Sequence, residues 1–177
     1  MKLKSAVFLI SRYLILVALG LFNLSLFYLV FTPITVELVY FVLSIFDEGT
    51  RLLAGNIIFF RGIYAEIIAA CVAGAAYYLL LILNLSTPMK INKRIKSIAF
   101  LLIGFLLVNV IRIVIFIFIA ISGQQYFDVA HRIMWHFVSS VLVVLIWFVN
   151  VRIFNIKEIP VYTDVSNIKK SLYVTPH

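Results

Sequence analysis

Long apolar runs alternate with short polar interruptions along this chain, and the runs set the expected elements. The first, about Ala6 to Phe31, is broken only by Ser11, Arg12, Asn23 and Ser25. At ~1.5 Å per residue it is long enough to cross a hydrocarbon core of ~30 Å. It is too long for a signal-peptide core and lacks a small-residue cleavage site near its end, so it reads as a retained anchor stopped by Thr32-Pro33. Ile34 to Phe46 is short and carries Glu37, which predicts a re-entrant or interfacial helix rather than a span. A polar turn follows at Asp47 to Arg51, and Asn56 to Tyr64, β-branched and aromatic around Arg61-Gly62, predicts a small hairpin. Three further runs cover about Glu66 to Leu85, Ser97 to Ile121 and Val129 to Phe154.

The pattern therefore predicts an all-α integral membrane protein with about four transmembrane helices and a short extracytoplasmic cap. Residues 1–155 are expected to form one membrane-embedded domain and 156–177 a polar cytosolic tail. Composition agrees, because 64% of residues are hydrophobic and 12% charged, far more apolar than a soluble domain can hide. Mean hydropathy is +1.15.

The formal net charge of +8 would suggest nucleic acid in a soluble protein. Here the cations fall at the ends of the apolar runs: Lys2 and Lys4 before the first, Lys90, Lys93, Arg94 and Lys96 in one short connection, and Arg152, Lys157, Lys169 and Lys170 after the last. That is the positive-inside distribution, which orients helices and needs no nucleic acid. It predicts a multi-pass protein of the cell membrane with both termini and the basic connection in the cytosol. The segment from Thr32 to Tyr64 must then begin and end outside.

This orientation brings a thiol, a guanidinium and an imidazole to the outer half of the membrane. Cys71, the chain's sole cysteine, lies about five residues inside the outer end of the second run; Arg112 lies within the third, about nine residues or ~14 Å below its outer end; His131 and Arg132 open the fourth. An arginine inside a span costs ~2.5–3.5 kcal/mol even on insertion scales and usually faces a polar interior, and Asn109 shares its face. The alternative for Arg112 is snorkelling to headgroups. Cys71, among Ala69, Ala70, Ala73 and Gly74, suits plain small-residue packing, unless the fixed charge of Arg112 lies near enough to favour its thiolate. His131 could cap the interface beside Trp135 or serve as a general base, and structural roles suit Arg132 and His136. No HExxH motif, phosphate loop or serine-hydrolase elbow is present, so no metal or cofactor is expected.

Glu66-Ile67-Ile68-Ala69-Ala70-Cys71-Val72-Ala73-Gly74, then Asn109-Val110-Ile111-Arg112, then Ala130-His131-Arg132 together resemble the exosortase/archaeosortase family of membrane-embedded cysteine transpeptidases, in the manner of its small archaeal members. The resemblance covers about Asn56 to Asn150. It implies that Cys71 attacks the scissile carbonyl of a C-terminal sorting signal and holds an acyl-thioester, that Arg112 favours the thiolate and donates a hydrogen bond, and that His131, with Arg132 as its rival, orients the transition state. The implied partners are surface proteins with a tripartite C-terminal signal and a lipid acceptor. Departures are the Val-Ala-Gly after the cysteine, where Ser-Gly or Thr-Gly is commoner, and fewer spans than many members carry. The competing readings are a non-catalytic assembly factor or small transport component, in which Arg112 and Asn109 make an interhelical contact, and a permease subunit that binds an anion at Arg112.

Overall fold

The computed structural model describes residues 3–21, 24–53, 55–123 and 138–158. It is mostly helical, and the first apolar run is divided differently from the expectation. Helix α1 (Leu3–Leu21) ends before Leu24, whose φ of 59° is left-handed, and α2 (Ser25–Phe46) then continues straight through Thr32-Pro33. Proline removes a backbone donor and crowds the preceding turn, but α2 has a compensating face. Val36, Val39 and Leu43, spaced three and four apart, are buried in the core, and packing of that stripe outweighs the break. Ile34 to Phe46 is thus the second part of one 22-residue helix, not a separate re-entrant or interfacial piece.

Beyond Phe46 the chain forms a three-stranded antiparallel sheet, β1 (Arg51–Leu52), β2 (Ile57–Phe60) and β3 (Ile63–Glu66), in that spatial order. Phe60 pairs with Ile63, leaving Arg61-Gly62 as a two-residue loop with both φ values positive, 44° and 87°, the geometry that matches strand twist. Ile58 and Phe60 point inward and are fully buried. Phe118 receives both Phe46 and Phe60 edge-on, with ring centroids 5.4 Å apart in each pair. Arg61 Nη2 donates to the Phe46 carbonyl at 3.0 Å, closing the end of α2.

The remaining elements are α3 (Ala69–Val72), α4 (Gly74–Leu85), α5 (Ile91–Ser122) and α6 (Ser139–Ile153). Lys93, Arg94 and Lys96 lie in the first turns of α5 rather than in a connection. Lys90 is extended and ends the loop; from Ile91 on the helix runs unbroken although Ile, Val and Phe of middling propensity fill much of it, because its buried face packs against its neighbours. Of run four, the part before Val138 lies outside the described residues, as does most of the 156–177 tail.

Side-chain contacts fix the directions. Arg12 Nε donates to the Leu85 carbonyl at 2.5 Å and Tyr78 Oη to the Leu16 carbonyl at 2.8 Å, so α1 runs antiparallel to α4. Phe31 stacks on Tyr77 at 3.9 Å, and Tyr77 meets Phe105 edge-on at 4.8 Å, so α2 continues the same path beside α5. At the other face Asn84 Nδ2 donates to Ser97 Oγ at 2.6 Å, and Ser97 Oγ to Asn150 Oδ1 at 2.9 Å, joining α4, α5 and α6 by the buried polar contacts that hold helices together where both solvent and core are apolar. Measured from the basic start of α5, then, α1, α2 and α5 run away and α3, α4 and α6 return, with the sheet at the far end. Helices α2 and α5 are each long and apolar enough to cross a membrane. Their outward residues, Leu29, Ile45, Ile103 and Ile111 among them, are themselves apolar and exposed, as a lipid-facing surface requires.

Close packing at the start of α4 leaves no room for a Cβ at Gly74 unless Tyr28 shifts, while Gly104 stands in open space. A Cβ on Gly74 would meet Tyr28 Cζ at 2.8 Å, whereas one on Gly104 would meet nothing within 4 Å. Gly74→Ala is expected to lower stability by about 1–3 kcal/mol through overpacking, and Gly104→Ala to leave it unchanged or raise it by up to ~1 kcal/mol. Thermal unfolding of both variants in one detergent checks this; equal effects would contradict the packing described.

Candidate functional site

The helix expected from Glu66 to Leu85 is interrupted at the residues that matter most. Glu66 belongs to β3; α3 begins after the extended Ile68, and Cys71 N donates to the Ile68 carbonyl at 2.8 Å. Two residues past Cys71 the chain turns left-handed at Ala73, with φ 59° and ψ 47°. A non-glycine residue held there stores on the order of 1–3 kcal/mol. Gly74, seated under Tyr28, starts α4 on a new path.

A break in a helix releases carbonyls that the ladder would have used. Those of Cys71 and Val72 are met by side chains of α5. Asn109 Nδ2 donates to the Cys71 carbonyl at 2.9 Å and reaches that of Val72 at 3.4 Å. Arg112 Nη2 donates to the Cys71 carbonyl at 3.0 Å, and Nη1 donates to Ser139 Oγ at the start of α6. Asn109 is buried and its Oδ1 has no partner among the described residues; Arg112 is half-buried. One guanidinium therefore ties three elements together.

The structure thus brings Cys71 and Arg112 together, one helical turn of α5 from Asn109. The hydrogen bonds run to the peptide carbonyl of Cys71 rather than to its sulfur, and the thiol itself is half-buried. A groove of about 360 Å³ opens between α4 and α6, walled by Ala73, Ala76, Val143 and Val144, with Arg112 and Ser139 inside it. Ala70 also lines it, and Cys71 stands next to the wall. His131, Arg132 and His136 lie outside the described residues. Among the described residues no three His, Cys, Asp or Glu side chains gather as metal ligands.

Ser139 and the turn at Ala73 were missed by sequence reasoning. Ser139-Ser140 is a polar interruption in run four, and counting ~1.5 Å per residue from the nearest basic residue of each run, Arg152 and Lys96, puts Ser139 at ~20 Å and Arg112 at ~24 Å, within one helical turn in depth. Nothing in Ala73-Gly74 distinguished a left-handed turn from a small-residue packing stripe. Searches against protein families, curated proteins and solved structures find no match to this chain.

Because Asn109 and Arg112 share one acceptor, their loss should be cooperative. Either Asn109→Leu or Arg112→Met leaves the Cys71 carbonyl one donor; both together leave it none, and an orphaned buried carbonyl costs about 1–3 kcal/mol. The double variant should therefore lose more stability than the two singles summed, by at least ~0.5 kcal/mol in an unfolding double-mutant cycle. Strict additivity would mean the shared carbonyl is met some other way.

Proposed function

We propose that this chain is a membrane-embedded cysteine transpeptidase that cleaves a C-terminal sorting signal of surface proteins and passes the new carboxyl end to an acceptor, a lipid. The observation that carries the reading is the hydrogen bond from Arg112 to the peptide carbonyl of Cys71, which keeps a permanent cation beside the sole thiol at the end of the helices remote from the basic connection. In this reading the positive-inside bias places Lys90, Lys93, Lys96, Arg152 and Lys157 in the cytosol. Four crossings follow: α2, α3 with α4, α5, and the run that ends in α6. Cys71 then lies in the outer half of the membrane.

Chemistry at such a site runs in two balanced steps. The Cys71 thiolate adds to the scissile carbonyl; the C–N bond breaks, the leaving amine takes up a proton, and an acyl-thioester remains. A nucleophile on the acceptor then attacks the thioester, losing its proton as the thiolate departs. Arg112 stabilises the anionic sulfur and offers N–H groups to the developing oxyanion. His131 or Arg132 is the third member in the exosortase/archaeosortase pattern that these residues resemble. The substrate would bring its own C-terminal helix and basic end, presenting its cleavage site at the outer headgroup level.

A second reading has its own observation. The bonds of Arg112 and Asn109 fall on backbone and on Ser139 rather than on sulfur, as expected if they are interhelical glue in a non-catalytic assembly factor or small transport component. Co-expression of a surface protein bearing a C-terminal helix separates the two, with wild type, Cys71→Ala and Arg112→Ala compared at equal membrane abundance. The transpeptidase reading expects a thioester adduct trapped at Cys71 and cleavage lost in both variants. Undiminished cleavage of the partner without Cys71 would remove it and leave the assembly role.

A further inference from the structure

We propose that the basic end of the protein is a binding surface for anionic phospholipid headgroups, and that a bound phosphate bridges the start of α5 to the segment after α6. Lys93 Nζ donates to the Asn155 carbonyl at 3.0 Å, and Phe100 meets Phe154 edge-on at 6.0 Å, so these two segments lie side by side. They expose Lys90 and Lys96 from one and Arg152 and Lys157 from the other, against a single acidic side chain among the described residues of the two segments, Glu158. The first turn of α5 carries no acidic residue and no side-chain cap, so no carboxylate of its own offsets the lysines at the positive end of the helix dipole.

Like charges packed at adjacent helix ends repel unless an anion sits among them. The neighbouring surface says which kind. Ile91, Ile95 and Ile153 are 54%, 60% and 58% exposed within the same two segments, so cations and bare isoleucines alternate as headgroup and acyl chain do. A soluble anion would satisfy only the first. Clusters of this composition at the cytoplasmic end of spanning helices attract acidic lipids, and Lys93, already held by Asn155, fixes where the two basic segments meet. The surface is remote from Cys71, and its occupation requires no catalytic activity.

The test uses the purified full chain in mixed micelles containing either phosphatidylglycerol or phosphatidylcholine. A ligand that binds only the folded state raises its apparent stability, so phosphatidylglycerol should raise Tm by ~3 °C or more over phosphatidylcholine. That increment should shrink in about 1 M salt, where the screening length falls to ~3 Å. Glycerol phosphate added to phosphatidylcholine micelles should not reproduce it. A Lys90→Gln, Lys96→Gln, Lys157→Gln variant should keep the wild-type Tm in phosphatidylcholine and lose the increment. Equal Tm in the two lipids would overturn the proposal, as would an increment reproduced by glycerol phosphate or retained by the variant.

Discussion

A peptide carbonyl released where a helix ends or breaks needs a new donor, and in this chain it turns to a cation. The ends and interruptions of the helices repeat one solution. Arg61 meets the carbonyl of Phe46 at the end of α2; Arg12 meets that of Leu85, and Arg94 those of Asn84 and Thr87, at the end of α4; Lys93 meets that of Asn155 after α6. Arg112 does the same at the break after α3. Each pairing places positive charge against backbone carbonyl dipoles, and at Leu85, Asn84 and Thr87, where the contacts are buried, an unmet acceptor would be costly. Because each donor lies on a different element from the carbonyl it meets, the contacts that finish the helices also dock them.

The candidate site is one instance of that rule with an unusual address. Elsewhere the carbonyls belong to true helix ends, but at Cys71 they belong to a helix stopped after one turn by Ala73 and resumed at Gly74. Two donors on α5 hold the broken segment, and the guanidinium continues to Ser139. The thiol is presented from a segment fixed on its backbone side, which is the kind of preorganisation an attacking group requires.

How much of this was legible depends on which physical quantity decided each feature. Charge placement and apolar run length are read directly from sequence, so the apolar helices, the hairpin around Arg61-Gly62 and the alternation about the basic connection could be expected. Pro33 misled because proline's local penalty is visible whereas the core face of Val36, Val39 and Leu43 that overrides it is a tertiary property. Arg112 stood out because buried arginine is costly, and Asn109 followed by helical spacing. That both would converge on the carbonyl of Cys71 was hidden, since the left-handed turn at Ala73 has no mark in an Ala-Gly pair.

Joining cations to peptide carbonyls has a consequence for the conditions the fold can meet. A salt bridge fails in acid because its carboxylate takes up a proton. Neither a guanidinium nor an amide carbonyl titrates anywhere near that range. The acidic side chains among the described residues, Glu37, Asp47, Glu48, Glu66 and Glu158, lie outside the buried core. The arginine contacts that dock the helices contain no carboxylate, so acid removes no acceptor from them, as it would from a salt bridge.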